Sequence, residues 1–319
     1  MVLRVLVSGL RVGRILEYQN TIASPVVISG IGLHTGVQVN LRLLPAPSNA
    51  GIVFKRSDLD GFSIEAHSRH VARVSYATTL MKKGVLISTT EHLLSALAGL
   101  KVDNVVVEID NLELPILDGS ALPFFRMIAK AGLRRQRALR YYVKVLKSVE
   151  VVEGAKRIAV HPSDELEITY QIVFSHPLIG VQSLNFVAAV NDYGADIAPA
   201  RTFGFLEEVE MLHKSGLIRG GSLENAVVLT REGLLNPEGL RFPDEFCRHK
   251  VLDLIGDLAL LGRPLLGHVI AERAGHAMHA QLVSRLLREK DSWTMVAATE
   301  SESKAPSARA FEPATSQAP

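Results

Sequence analysis

Three stretches of this chain carry residue types at spacings that chemistry uses. The first is Ser88-Thr89-Thr90-Glu91-His92. Ser-x-x-Glu is the pattern of a capping box, in which the glutamate returns to the backbone N–H of Ser88 and Glu91 is structural. The adjacency supports another reading, because a carboxylate beside a metal-binding imidazole can take a proton from metal-bound water. The second stretch runs from Arg248 to Asp257, where His249, Asp253 and Asp257 stand at i, i+4 and i+8 and so project from one side of a helix. Their neighbours Phe246, Leu252, Leu254, Ile255 and Leu258 are apolar. Three ionisable groups in such a helix are costly to bury without a partner. Either a metal ion supplies that partner, or the face is partly exposed and Lys250 and Arg248 neutralise the aspartates. The third is Gly275-His276-Ala277-Met278-His279, whose two histidines, three apart, could bind metal although His279 lies a turn into a helix; the plainer reading is a solvated loop histidine. One histidine from the first stretch with His249 and Asp253 makes three ligands and leaves a fourth position open. That is the catalytic zinc pattern; structural zinc closes its coordination, usually with thiolates, and this chain has a single cysteine, Cys247.

Positioning these groups falls to two β-rich halves. In the first, Val26–Ile28, Val37–Leu41 and Val105–Ile109 read as strands, with turns at Gly30–Gly32 and Thr35–Gly36. One helix follows Ser88 and runs to Gly99; another follows Asp118-Gly119-Ser120 and runs to a Gly132 cap. The polar, basic stretch Arg134–Arg140 reads as a solvated linker or, more sharply, as a phosphate-facing strip. Beyond it Val143–Val145, Ile158–Val160 and His268–Ala271 read as strands, and Glu245–Leu261 and Ala277–Lys290 as helices. Each half is therefore strands plus two helices, an α+β duplication without a residue-level repeat. The expected boundaries are 16–133 and 143–298 for two domains, with a linker over 134–142.

Composition narrows the function classes. At 319 residues with 47% hydrophobic side chains, the chain can bury the cores of two domains. Lys+Arg number 35 against 33 Asp+Glu, a net charge of +2 that gives no case for bulk nucleic-acid binding. The single cysteine excludes an intrachain disulfide framework and fits a reducing cytoplasm. No run of about 18 apolar residues predicts a transmembrane helix. Residues 1–15 scatter Arg4, Arg11 and Arg14 among apolar residues, unlike a signal peptide. They read either as a disordered extension or as a stretch upstream of the true start of translation. Residues 299–319, rich in Ser, Ala, Pro, Glu and Thr, are expected to be a disordered tail.

Taken together, Gly32–Gly36, Ser88–Leu97, Leu114–Ser120, Ala200–Phe205, Arg248–Asp257 and Gly275–Ala277 resemble the UDP-3-O-acyl-N-acetylglucosamine deacetylase family, over about residues 17–297 and in order. The resemblance implies two α+β domains of similar fold, each a β-sheet with two helices, packed with the helices between the sheets. It implies a zinc amidase that removes the N-acetyl group of the acylated sugar nucleotide and commits bacteria to lipid A synthesis. By motif position, zinc would be held by His92, His249 and Asp253. Glu91 would be the general base, and His276 the general acid or electrostatic stabiliser, oriented by Asp257. Thr202 would help hold the oxyanion and Lys250 would face the sugar nucleotide. Phe203 would lie near the substrate, Val209 and Ile218 in a passage for the acyl chain, and Phe174 against the uracil.

His279 stands where relatives often carry another polar residue, and Val173 stands before Phe174, so no role follows for either. A monomer working in the cytoplasm, peripherally close to a membrane through its lipid substrate, is expected. Two other readings stay open. One is a zinc amidohydrolase for a different N-acyl substrate, distinguished by the apolar segment Phe203–Gly221. The other is a non-catalytic sugar-nucleotide binding module, distinguished by an absence of stoichiometric metal.

Overall fold

The computed structural model describes residues 15–297 and 299–300. Strict alternation builds the first sheet: in Gln38–Pro45, Val39, Leu41 and Leu43 are buried while Gln38, Asn40 and Arg42 face solvent. Val105–Ile109 repeats the pattern with Val105, Val107 and Ile109 inward. The strand order is Val26–Ile31, Gln38–Pro45, Val105–Ile109, Ile52–Arg56, Phe62–Glu65. All neighbours are antiparallel except Val105–Ile109 with Ile52–Arg56. The second sheet has seven strands, and Leu265–Glu272 is its hub. That strand pairs in parallel with Leu166–Val173 and Tyr141–Val145 and antiparallel with Lys156–His161.

Six α-helices occur among the described residues: α1 (Glu91–Gly99), α2 (Leu122–Ala131), α3 (Tyr193–Asp196), α4 (Leu206–Lys214), α5 (Glu245–Leu258) and α6 (His276–Arg288). α2 packs on α1 and on Val26–Ile31, whereas α5 packs on Leu166–Val173 and Val181–Val187, and α6 on Val149–Glu153 and Lys156–His161. The two halves meet where α1 lies along α5. That is the two-domain α+β architecture expected above, with α1 and α2 in the first half, while the second half carries α3 and α4 besides the expected pair α5 and α6. Both contact helices are buried nearly all round: α1 from Glu91 to Leu97, and α5 except at Asp-capped Arg248 and at Lys250. A helix apolar on every side belongs in a core, and the few polar groups it carries are then functional candidates. Among the described residues no helix is long and apolar enough to cross a membrane.

The stretch taken for a linker is ordered differently. Leu133–Leu139 is a strand, paired antiparallel with Tyr18–Ile22. Its arginines stay solvated on a paired backbone, with Arg135 4.2 Å above the Tyr18 ring. Arg140 is buried between Asp103 at 2.9 Å and Glu17 at 3.2 Å. Charge content suggested a loop because a sequence does not reveal that a distant strand will satisfy the backbone. Likewise Thr299–Glu300 pair with Ile15–Leu16, so a boundary after residue 15 cuts a short strand and one before residue 299 leaves a paired strand in the expected tail. The remainder of the expected extension and tail lies outside the described residues.

Candidate metal centre and active site

The entry to α1 is set by backbone geometry. Thr89 adopts a left-handed φ of 58°, a conformation that turns the chain sharply into the helix and is sparsely populated by branched residues. The N–H of Ser88 donates to the Leu112 carbonyl, so no capping box forms. The Glu91 carboxylate turns the other way and accepts from the N–H of Thr78 at 3.0 Å. α5 reaches this point because of Gly256, where a Cβ would overlap the Glu91 carbonyl oxygen. Helix packing therefore delivers the Glu91–His92 pair onto the polar face of α5.

That face splits into two clusters. In the first, ligand atoms of His92, His249 and Asp253 all lie within 4.8 Å of one another. Asp253 Oδ1 is 3.3 Å from His249 Nε2 and 3.8 Å from His92 Nε2, and the imidazole rings stand perpendicular with centroids 5.1 Å apart. His249 Nδ1 donates to the Ala200 carbonyl at 3.1 Å, which leaves Nε2 as the lone pair facing Asp253. Lys250 Nζ does reach Asp253 Oδ2, at 2.8 Å, as the neutralised-face reading requires. Yet Asp253 Oδ1 and His92 Nδ1 are buried with no hydrogen-bond partner among the described residues. Burial opposes ionisation of Asp253, but the surrounding His249, Lys250, His276 and His92 side chains outweigh it and hold the carboxyl far below its usual range. Burial, and then the neighbouring His249, pull His92 down to about 3, so its imidazole is neutral at physiological pH. Two neutral imidazoles and a carboxylate with an unsatisfied buried oxygen are what a metal cation requires. These three residues could hold one.

The second cluster surrounds Asp257. Its Oδ2 lies 2.7 Å from His276 Nδ1 and 2.8 Å from His279 Nδ1, and its Oδ1 accepts the Thr78 hydroxyl at 2.6 Å. Burial alone would lower the pKa of His276, but Asp257 and Asp253 push it up to about 9. Burial pushes Glu91 up to about 7; His276 opposes this, and Asp253 and Asp257 add to it. A proton acceptor poised near neutrality thus stands in one site with a cationic imidazole, the division of labour that acid–base chemistry needs.

Both clusters open on a cavity of about 370 Å³, lined by Glu91, His92, Thr202, Phe203, His249, Lys250, Asp253 and His276 among others. Thr202 is fixed through its backbone, whose N–H donates to the Gly119 carbonyl at 2.8 Å while its carbonyl accepts from Val227 at 2.8 Å. Gly119 has a φ of 81°, and a Cβ there would strike the Asn225 carbonyl, which explains the glycine in Asp118-Gly119-Ser120. Arg201 anchors the same segment to α5 through the fully buried Glu245, at 2.9 Å. Of the other residues singled out in the sequence, Phe174 packs 5.9 Å from Phe203, behind the cavity wall. Val209 on α4 and Ile218, left-handed at φ 54°, are not among the lining residues.

Sequence reasoning overlooked Thr78, which carried no motif. It also gave no role to His279, which lies inside the last helix as expected but is fully buried in the first turn of α6. The available signal was spacing: residues three apart in a helix share a face, so His279 had to follow His276 inward.

Comparison with known proteins gives the family. The family model described as UDP-3-O-acyl N-acetylglycosamine deacetylase matches residues 19–288. The UDP-3-O-acyl-N-acetylglucosamine deacetylase of Solibacter usitatus is 55% identical over 281 residues, 88% of this chain and 95% of its own length. That of Myxococcus xanthus is 46% identical over 89% of this chain and 91% of its own, and that of Syntrophotalea carbinolica 45% over 90% and 93%. Matches of this length and identity take in every element that carries the two clusters, and the chain belongs to the UDP-3-O-acyl-N-acetylglycosamine deacetylase family.

Proposed function

We propose that this chain hydrolyses the N-acetyl group of UDP-3-O-acyl-N-acetylglucosamine to UDP-3-O-acyl-glucosamine and acetate, the step that commits the sugar nucleotide to lipid A. The observation that carries the reading is the shared cavity: a carboxylate titrating near neutrality and an unpartnered aspartate oxygen in a His–His–Asp set face the same space. His92, His249 and Asp253 would hold zinc, which when bound supplies a Lewis acid and lowers the pKa of water to about 7. Glu91, with Oε2 steadied by the Thr78 N–H, accepts the proton of the attacking water at its carboxylate. His276, kept protonated by Asp257, stabilises developing negative charge and delivers a proton from Nε2 to the departing amine. Thr202 lies at the cavity wall where the amide oxyanion would form, and an oxyanion donor of this kind is worth about 2.7–4 kcal/mol of barrier. Lys250 and Phe203, with Lys250 Nζ 5.8 Å from the ring centroid, make a cationic and aromatic rim for the sugar nucleotide. Phe174, Val209 and Ile218, which stand outside the cavity lining, would act beyond it, Phe174 toward the base and the other two toward the acyl chain. Such a protein works as a cytoplasmic monomer on a substrate whose acyl chain keeps it near a membrane surface.

The test is acetate release from UDP-3-O-acyl-N-acetylglucosamine by protein of measured metal content. Activity should vanish on chelation and return with stoichiometric zinc. No turnover by the zinc-loaded protein, or turnover indifferent to chelator, would overturn the reading.

A further inference from the structure

Two imidazoles share one oxygen of Asp257, and only one of them opens on the cavity. His276 presents Nε2 to the cavity, 3.8 Å from Asp253 Oδ2. His279 does not line it; its Nε2 is sealed against the Tyr170 hydroxyl at 3.0 Å, and both residues are fully buried. We propose that His279 is a positioning residue, which fixes the Asp257 carboxylate from behind so that Asp257 in turn fixes His276. The inference rests on the function proposed above for its kinetic consequence, although the hydrogen-bond arrangement does not depend on it.

Proton bookkeeping supports the assignment. Asp257 Oδ2 is an acceptor, so both Nδ1 atoms at 2.7 and 2.8 Å must carry hydrogen. With its hydrogen on Nδ1, a neutral His279 must accept at Nε2, and the Tyr170 hydroxyl is the donor available there. The Ala274 carbonyl, two residues before His276, lies 2.9 Å from the same hydroxyl and shares its single hydrogen with His279 Nε2, so the Tyr170 oxygen sits between the loop entering α6 and the ring. Burial holds the His279 pKa below its usual value, which keeps this ring neutral and leaves the cationic partnership with Asp257 to His276. On the remaining side, the Thr78 hydroxyl occupies Asp257 Oδ1, delivered by the same residue whose N–H holds Glu91. Asp257 is therefore gripped from the first half of the chain by Thr78 and from the second by His279. Its freedom to swing, and with it that of His276, is removed before substrate arrives. A leucine at 279 would fill the space and leave Oδ2 with one donor instead of two.

The experiment compares wild type with His279→Leu, His279→Asn and Tyr170→Phe in the zinc-loaded full chain. Downfield proton NMR should resolve two imidazole N–H signals in the wild type, one of them lost and the other shifted in His279→Leu. In that variant kcat should fall by roughly 10- to 100-fold, with KM and bound zinc unchanged, as for loss of a partner that orients a catalytic group. Asparagine keeps one amide donor able to reach Asp257 Oδ2, so His279→Asn should recover most of kcat, whereas a residue needed only for packing would show no such rescue. Tyr170→Phe removes a single hydroxyl from the core and should shift the His279 signal and lower kcat at constant KM, which keeps the idea testable if His279→Leu does not fold. Wild-type kcat in a folded, zinc-loaded His279→Leu, or in Tyr170→Phe with the His279 signal unmoved, would overturn the assignment. A wild type that shows both signals without deacetylase activity would instead refute the function proposed above and leave the hydrogen-bond arrangement standing.

Discussion

Replacing Glu91 by glutamine separates its chemistry from its place in the fold. Glutamine keeps the size of the side chain and a carbonyl oxygen that can accept the Thr78 N–H now 3.0 Å from Oε2. What disappears is the charge. Its pKa is raised from 4.5 to about 7, which corresponds to a penalty of about 3 kcal/mol on the ionised form in the folded protein. Because the folded pKa lies above the unfolded one, this group favours folding below about pH 4.5 and loses that contribution as pH rises through about 7. Metal-free Glu91→Gln is therefore expected to be more stable than the metal-free wild type at pH 8, by up to about 3 kcal/mol, with the advantage shrinking at lower pH. Activity should move the opposite way, since an amide takes no proton from water. kcat should fall by roughly 10²–10⁴, or about 2.7–5.5 kcal/mol of barrier, with zinc retained. Urea unfolding at pH 5 and 8, beside acetate release at matched zinc content, measures both. Near-wild-type kcat in zinc-loaded Glu91→Gln would refute the base assignment, and an unchanged stability at pH 8 would refute the account of its raised pKa.

Three further outcomes follow from the same geometry. His249→Ala should lose most bound zinc and nearly all turnover, because two protein ligands rarely hold the metal; elemental analysis checks it, and full zinc with normal rate would remove His249 from the ligand set. kcat/KM should rise with pH through about 7 as Glu91 ionises and fall through about 9 as His276 loses its proton; in His276→Ala the alkaline fall should vanish and the acid rise, no longer held down by the imidazolium, should move to higher pH. Gly256→Ala should push α1 off α5, since its methyl would overlap the Glu91 carbonyl oxygen; about 1–3 kcal/mol lost in thermal unfolding is expected, and a variant as stable and active as wild type would contradict the helix contact described above.

Lys250 sharpens the division between structural and functional readings of a charged helix face. It pairs with Asp253 Oδ2, and on a surface such a pair would need nothing more. Here the aspartate is 2% exposed and its other oxygen faces two imidazole nitrogens with no donor. One ammonium cannot satisfy both oxygens of a buried carboxylate, and the remaining demand points to a second cation.

Local pattern alone was enough for much of this molecule. Alternation of Val39, Leu41 and Leu43, the cap at Gly132, and the four-residue spacing of His249, Asp253 and Asp257 each depend on neighbours a few residues away, so the sequence by itself determined those strands, helices and the polar stripe. Motif resemblance added the family and the ligand set. Whatever depended on distant chain segments was decided only in the tertiary structure. Glu91 looked like half of a capping box until Thr78, thirteen positions earlier, was seen to take its carboxylate. The basic run after Leu133 became a strand because Tyr18–Ile22 satisfies its backbone. His279 was drawn inside by Asp257 and Tyr170, 22 and 109 positions away in the chain. The site itself is of this second kind. Its two clusters, and the pKa values that set an acid beside a base, arise from burying α1 against α5, where low polarity lets each charge act on the next.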